Sequence, residues 1–352
     1  MRLIKHGGDI YNKNSIESII DFSSNINPLG MPESVKQAII DNINQYMCYP
    51  DCQCTDLRKA IADSFNLDSD MITCGNGAAD VIYRIVLALR PKKALLLAPT
   101  FSEYEDALKL VDSEINYYYL NEKNNFEIQS DITDFITKDL DIIFICNPNN
   151  PTGIPYSKQK MIKIIEKCKQ ENVVLVVDEC FSDFLVDEYK YSVISEINKY
   201  DNLIILKAFT KMYAMAGIRL GYMICSNENF NFEISNMLQP WSVSTVASKC
   251  GIAASKEHDF VSKTKDYILE NRKYLMDNLK EIGFKVFDSK VNYILFKSND
   301  IEINKKLEEY GILIRSCSNY INLGDNFFRI AVRNADDNQK FIDCLKIING
   351  VD

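Results

Sequence analysis

Runs of consecutive aliphatic residues alternate along the first two thirds of the chain with segments whose apolar residues recur at helical spacing. Four runs are predicted strands, at residues 94–98, 142–146, 173–177 and 203–206. Continuous Val, Ile and Leu runs separated by helices are typical of a parallel sheet covered on both faces. The pattern therefore predicts an α/β fold whose large domain is built on a mainly parallel sheet.

From about residue 228 the pattern changes to a long helical stretch followed by shorter strand-like runs, which predicts a smaller α+β domain. These runs are residues 291–296, 312–315 and 327–333. The chain length of 352 residues also favours two domains, because a single domain usually has about 150. The expected boundaries are 45–240 for the large domain and 1–44 together with 241–352 for the small domain.

Polar or aromatic side chains follow the predicted strands where each strand ends. They are Tyr104, Asn150, Asp178 and Lys211. Ligands of parallel sheets bind at this edge. A buried lysine with a lowered pKa suits Schiff-base chemistry, and Asp178 could keep a ring nitrogen protonated. The alternatives are a lysine that faces water and an aspartate that only caps a helix.

Two features near these residues suit a phosphate group. A glycine-containing turn, Gly77-Ala78-Ala79, leads into a predicted helix whose small first residues leave its amides open. Arg219, eight residues after Lys211, offers a planar fork that an ammonium lacks. The turn is neither a P-loop nor a GxGxxG motif, so its signal alone is weak.

Composition narrows the class of protein. The net charge of −9 argues against a general binder of nucleic acid or anionic membranes, so anionic ligands would need locally placed arginines. No run approaches the ~18 apolar residues of a membrane span. Eleven cysteines without a recognisable secretory leader favour a reducing cytoplasm. Only two histidines accompany the cluster Cys48, Cys52 and Cys54, so no metal site is expected.

With these residues assembled, the sequence resembles pyridoxal-phosphate enzymes of the aspartate aminotransferase fold type over essentially its full length. The motifs are Thr-Lys followed by GIRLG, Val-Asp-Glu, and Asn-Pro-Thr-Gly. The resemblance implies that Lys211 binds the cofactor covalently and that Asp178 pairs with its ring nitrogen. It further implies that Asn150 bonds the ring 3-oxygen and that Tyr104 stacks on the ring.

The same resemblance assigns the cofactor phosphate to the turn Gly77-Ala78-Ala79, with Thr210 and Arg219 completing the site. Tyr49 looks like the residue that reaches the phosphate from a partner subunit, which implies a homodimer. Ala208 departs from the pattern, because many relatives have a Ser or Thr there that bonds the phosphate. One hydrogen bond is therefore expected to be missing.

Four stretches carry a narrower resemblance to the histidinol-phosphate aminotransferase branch and to decarboxylases of L-threonine O-3-phosphate in cobalamin synthesis. They are HGGDI, DFSSNINPLGMP, QPWSVS, and IRSCSNY with FRIAVR. The match implies contacts with a phosphorylated amino acid from His6, Gly7, Asn25, Asn150, Arg315 and Arg329. Arg329 would bind the carboxylate, and Arg315 with His6 the phosphate. Arg333 is a weaker candidate, and strand arginines are more often solvated edge charges.

The expected activity is decarboxylation of L-threonine O-3-phosphate to (R)-1-amino-2-propanol O-2-phosphate for the corrinoid nucleotide loop. Phe181, where transaminases commonly have a Tyr, favours decarboxylation, whereas Ser244 in place of an expected Asn leaves substrate choice open. The alternatives are a histidinol-phosphate aminotransferase, a decarboxylase of O-phospho-L-serine, and a cofactor-binding regulator without catalysis. The residues alone do not decide which Cα bond is broken.

Overall fold

The computed structural model describes residues 7–8, 19–237 and 239–351. Its largest element is a seven-stranded sheet. The strands are β2 (Ile72–Gly75), β3 (Lys93–Ala98), β4 (Glu114–Tyr119), β5 (Ile142–Cys146), β6 (Val174–Asp178), β7 (Leu203–Ala208) and β8 (Gly221–Cys225). Their order is β2-β8-β7-β6-β5-β3-β4, and only β8 runs against the others. The predicted α/β fold with a mainly parallel sheet is confirmed.

Helices cover both faces of the large sheet, as the continuous aliphatic strands require. One face packs on α3 (Ala78–Leu89), α4 (Glu103–Lys109) and α6 (Glu228–Asn236). The other face packs on α2 (Thr55–Phe65), α5 (Lys158–Glu171) and α7 (Thr245–Ala254). Val35 of α1 (Glu33–Asp41) also packs against this other face of the large sheet.

A second core lies around the C-terminal part of the chain. Its sheet contains β9 (Lys285–Val286), β10 (Tyr293–Lys297), β12 (Arg315–Ser316) and β13 (Phe327–Ala331), in the order β12-β13-β10-β9. The helices are α8 (His258–Ile282), α9 (Ile303–Glu309) and α10 (Ala335–Asn349). A short pair, β1 (Ile20–Asp21) with β11 (Ile312–Leu313), ties the N-terminal segment to this part. The domain boundaries stay a prediction.

Two kinds of feature, a membrane-spanning helix and a metal-binding cluster, are absent from the described ranges. No helix within them is long and apolar enough to cross a membrane. No group of three or more His, Cys, Asp or Glu side chains within them is arranged to hold a metal ion.

Candidate active site

A cavity of about 520 Å³ lies where β5, β6 and β7 end and the segment 23–26 meets the small sheet. Seven of the predicted site residues line this cavity: Asn25, Asn150, Asp178, Thr210, Lys211, Arg219 and Arg329. Gly7, Ala78, Ala79 and Arg315 line it as well. Four of these residues are cationic, so the cavity concentrates positive charge in a chain whose net charge is −9.

Lys211 lies just beyond β7, partly exposed to this cavity. Within the described part of the chain its side chain makes no ion pair, whereas nearby positive charges act on it. Burial, followed by the charges of Arg329 and Arg219, lowers the pKa of Lys211 to about 8. At neutral pH a substantial minority of this amine is uncharged, which is the form that attacks a carbonyl carbon.

The lowered pKa predicts how Lys211 of the cofactor-free protein reacts with acetic anhydride, which acetylates only neutral amines. Reactivity should rise with pH around a midpoint of about 8, well below the ~10.4 of an ordinary lysine. Arg329→Met should move the midpoint upward because a neighbouring positive charge is lost. Peptide mass spectrometry measures the acetylated fraction at Lys211.

Arg333→Met is the matched control for that measurement. Arg333 lies outside the cavity lining, where its Nε donates to Asp337 at 2.9 Å, so its removal should leave the midpoint unchanged. A midpoint equal to that of exposed lysines would contradict the environment described for Lys211.

Asp178, the last residue of β6, is held from two directions. Its Oδ2 accepts a hydrogen bond from the Tyr104 hydroxyl at 2.6 Å, and its Oδ1 accepts one from the Cys180 backbone N–H at 2.9 Å. The side chain is buried yet lines the cavity. These two donors fix the carboxylate in one orientation.

The expectation that Tyr104 stacks on the cofactor ring is corrected by its position. Tyr104 is fully buried, its ring stacks on Phe144 at a centroid distance of 5.0 Å, and it does not line the cavity. It lies in the first turn of α4, which directs it into the core beneath the site. Phe101, three residues earlier, lines the cavity and is the aromatic wall.

The residues predicted to bind a phosphate lie around the N-terminus of α3, where Ala78 and Ala79 line the cavity. Gly77 precedes this helix with φ +88°, and no side chain caps the helix amides. A Cβ on Gly77 would lie 2.5 Å from the Arg219 guanidinium, and a Cβ on Gly221 would lie 2.3 Å from the Ala78 nitrogen. Only glycines allow this close cradle, and Thr210 lines it too.

Arg329 of β13 occupies the opposite part of the cavity. One NH group donates to Asn150 Oδ1 and the other to the Ser23 carbonyl oxygen at 3.0 Å, whereas Nε has no partner among the described residues. Because Asn150 Oδ1 is engaged, its NH₂ group is the part that can donate to a ligand. The buried, partly satisfied guanidinium suits a carboxylate.

Arg315 of β12 lies at the rim. Its NH2 group donates to Asn319 Oδ1 at 2.7 Å, and its guanidinium lies 5.7 Å from the centre of the Tyr320 ring. Arg333, the weaker candidate, is instead bonded to Asp337 and to the Asp21 carbonyl oxygen, outside the cavity lining.

The N-terminal segment is fixed against the lysine loop. The Asn27 side chain donates to the Met212 carbonyl oxygen at 2.7 Å, and Asn292 donates to the Asn25 carbonyl oxygen at 3.0 Å. Asn25 lines the cavity, and its buried Oδ1 has no hydrogen-bond partner among the described residues. Gly7 is packed so tightly that a Cβ would lie 2.1 Å from the Ser23 carbonyl oxygen. His6 lies outside the described residues.

Two residues singled out from sequence lie away from the cavity of their own chain. Tyr49 is 79% exposed and stacks on Trp241 at 4.5 Å. Ser244 caps α7, its Oγ accepting from the Ala247 backbone N–H at 3.1 Å. Ala208 and Phe181 do line the cavity, and each brings no hydroxyl to it.

Several residues that line the cavity beside the predicted ones were not identified from the sequence. They are Ser23, Phe101, Cys146, Cys180 and Tyr320. A signal existed for Phe101, because it is closer than Tyr104 to the end of β3. Cys146 and Cys180 had no signal that separates them from core cysteines. Burial raises the pKa of both thiols, so they are poor nucleophiles.

Comparison with known proteins agrees with this arrangement. The sequence model of the family "Aminotransferase class I and II" matches residues 17–345, so the chain belongs to that family. The resemblance inferred from sequence is therefore confirmed, and with it pyridoxal 5'-phosphate as the cofactor. A reactive amine, a fixed carboxylate and a helix N-terminus beside an arginine are the groups that this cofactor requires.

Individual relatives point to two activities. The chain is 32% identical to threonine-phosphate decarboxylase of Salmonella typhimurium, over 98% of this chain and 97% of that protein. It is 31% identical to the adenosylcobalamin biosynthesis bifunctional protein of Leptospira interrogans, over 99% of this chain and 41% of that protein. The crystal structure of histidinol-phosphate aminotransferase from Clostridium acetobutylicum matches with a TM-score of 0.87 and 33% identity, covering 94% and 98% of the two chains.

Proposed function

We propose that this chain decarboxylates L-threonine O-3-phosphate with pyridoxal phosphate, giving (R)-1-amino-2-propanol O-2-phosphate for the corrinoid nucleotide loop. The observation that carries the proposal is a cavity in which Lys211 shares space with three arginines. A phosphorylated amino acid and a phosphorylated cofactor bring three anionic groups to such a site. Arg219 would take the cofactor phosphate, Arg329 the substrate carboxylate and Arg315 the substrate phosphate.

Each residue of the site has a role that follows from the group it can bind or the proton it can transfer. Lys211 would hold the cofactor through its amine, and the neutral form of that amine could move a proton at the substrate Cα. Asp178 pairs with the cofactor ring nitrogen, and Phe101 covers one ring face. When bound, pyridoxal phosphate accepts the electron pair of the Cα bond that stands perpendicular to its ring.

The choice between bonds falls on the groups around the substrate carboxylate. Arg329 is anchored by Asn150 and Ser23, so it can hold the carboxylate perpendicular to the ring, and CO₂ then leaves while a proton takes its place. Phe181 lines the cavity without a hydroxyl group, which supports decarboxylation over amino transfer. Similarity to the Salmonella typhimurium enzyme over both full chains is further support.

The proposal predicts catalytic release of CO₂ when purified protein and pyridoxal phosphate are mixed with L-threonine O-3-phosphate and no oxo acid. Evolved CO₂ is measured together with the phosphorylated amino alcohol by mass spectrometry, and the two should appear in equal amounts. O-phospho-L-serine is the matched comparison, because it differs by one methyl group worth roughly tenfold in discrimination. Faster turnover of phosphoserine would move the substrate assignment to that compound.

A second candidate is histidinol-phosphate aminotransferase activity, which the similarity to the Clostridium acetobutylicum structure favours. Its substrate also has a phosphate for Arg315 but no carboxylate for Arg329. Amino transfer from histidinol phosphate that depends on added 2-oxoglutarate, without CO₂ release from phosphothreonine, would establish this activity and overturn the decarboxylase.

We also propose that the enzyme works as a cytoplasmic homodimer in which Tyr49 reaches the partner's cofactor phosphate. Exposed apolar side chains precede Tyr49 in the sequence and include Ile40, Ile43 and Met47. Each is more than half exposed in the single chain, which a covered surface would explain. Sedimentation velocity tests the proposal, and a monomer at micromolar concentration with full activity would contradict it.

A further inference from the structure

The loop between β12 and β13 carries one side chain that connects it to the large sheet. Asn322 donates from its amide nitrogen to the Leu120 carbonyl oxygen at 2.6 Å and to the Ala98 carbonyl oxygen at 3.1 Å. Ala98 is the last residue of β3, and Leu120 directly follows the edge strand β4. The amide therefore joins the loop to the ends of two parallel strands.

The backbone of Asn322 suits this contact. Its φ is +71°, in the left-handed region that asparagine tolerates better than most residues. The two hydrogens of one amide group can serve two carbonyl oxygens, which a hydroxyl or a carboxylate cannot do. A backbone hydrogen bond also links these two strand ends, because the Leu120 N–H donates to the Ala98 carbonyl oxygen at 2.8 Å.

Both ends of this connection lead to the cavity. On the loop side, Arg315 and Tyr320 line the cavity and lie within seven residues of Asn322. On the sheet side, Ala98 precedes the turn that carries the cavity residue Phe101. The Asn322 amide therefore links the segment that carries Tyr320 to the strand end that precedes Phe101.

We propose that Asn322 is a positioning residue that fixes the loop after β12, whose Asn319 and Tyr320 contact Arg315, for recognition of the substrate's phosphate group. The inference rests on the proposed function, because it takes Arg315 as the phosphate contact. Asn322 itself does not line the cavity and acts only through the loop. Hydrogen-bonded anion binding is sensitive to small displacements, so a loosened loop weakens the contact without removing it.

Asn322→Gly is the test, because glycine keeps the left-handed backbone and removes both donors. Affinity of the pyridoxal-phosphate enzyme for L-threonine O-3-phosphate should fall about tenfold, as two lost hydrogen bonds would allow. Binding of L-threonine, which lacks the phosphate, should change less than twofold, and so should the maximal rate. Asn322→Asp, which places a carboxylate against two carbonyls, should weaken phosphothreonine binding at least as much.

Asn172→Gly is the matched control. Asn172 caps the C-terminus of α5 with φ +59°. Because it precedes β6, it lies at the amino ends of the parallel strands, and the cavity lies at their carboxyl ends. Unchanged phosphothreonine affinity in Asn322→Gly, or an equal loss for phosphothreonine and threonine, would overturn the inference. Failure of the proposed function is distinguishable from this, because the unaltered enzyme would then release no CO₂ from phosphothreonine.

Discussion

Lys211→Ala is expected to lower the rate of CO₂ release at least about 10⁴-fold and to prevent covalent attachment of the cofactor. The expected loss is large because, on the proposed function, one side chain would supply both the bond to the cofactor and the proton transfer at Cα. Lys211→Arg should fail equally, since a guanidinium keeps the positive charge but does not lose its proton. Turnover measured with saturating pyridoxal phosphate, and mass spectrometry after borohydride reduction, report the two losses separately.

Lys207 provides the contrast for this experiment. It lies four residues earlier, on β7 itself, where it pairs with Asp183 at 2.7 Å and Glu188 at 3.1 Å. Burial alone would lower the pKa of Lys207, but these carboxylates raise it well above its usual value. Lys207→Met should lower the unfolding temperature and leave the cofactor attached at Lys211. Cofactor attached to Lys207 in any variant would contradict the assignment.

Asp178→Asn is expected to lower the maximal rate by roughly 10²- to 10⁴-fold, with little change in the free energy of unfolding. Asparagine has nearly the same shape: its oxygen can still accept from the Cys180 N–H, and its NH₂ group can donate to the Tyr104 hydroxyl oxygen. It lacks the negative charge that keeps the cofactor ring nitrogen protonated. Steady-state kinetics and thermal unfolding of the same preparations separate the electrostatic loss from damage to the fold.

Tyr104→Phe is the graded companion of that variant. It removes the 2.6 Å hydrogen bond to Asp178 and keeps the stack on Phe144, so the rate should fall only about tenfold. Activity of Asp178→Asn within tenfold of the unaltered enzyme would rule out Asp178 as the partner of the ring nitrogen.

The sequence predicted the large sheet because its aliphatic runs are long and regularly separated. It also placed Asn150, Asp178 and Lys211 at one edge, because the ends of parallel strands must meet there. It assigned the ring contact to Tyr104 although Phe101 is closer to the end of β3, because the start of α4, which turns the Tyr104 ring into the core, is not evident from the sequence. The strand pattern alone does not distinguish Arg329 from Arg333, and only the family resemblance favoured Arg329; in the structure β13 ends at Ala331 and leaves Arg333 beside Asp337.

The anchoring of Arg329 has a consequence for the end of the reaction. In the proposed reaction the product keeps its phosphate and has lost the carboxylate, so it would lack the charged contact that we propose between the substrate and Arg329. Arg329 nevertheless retains Asn150 Oδ1 and the Ser23 carbonyl oxygen, so it is not left as a buried charge without a partner. On this proposal the enzyme should bind its product less tightly than its substrate, which would limit product inhibition.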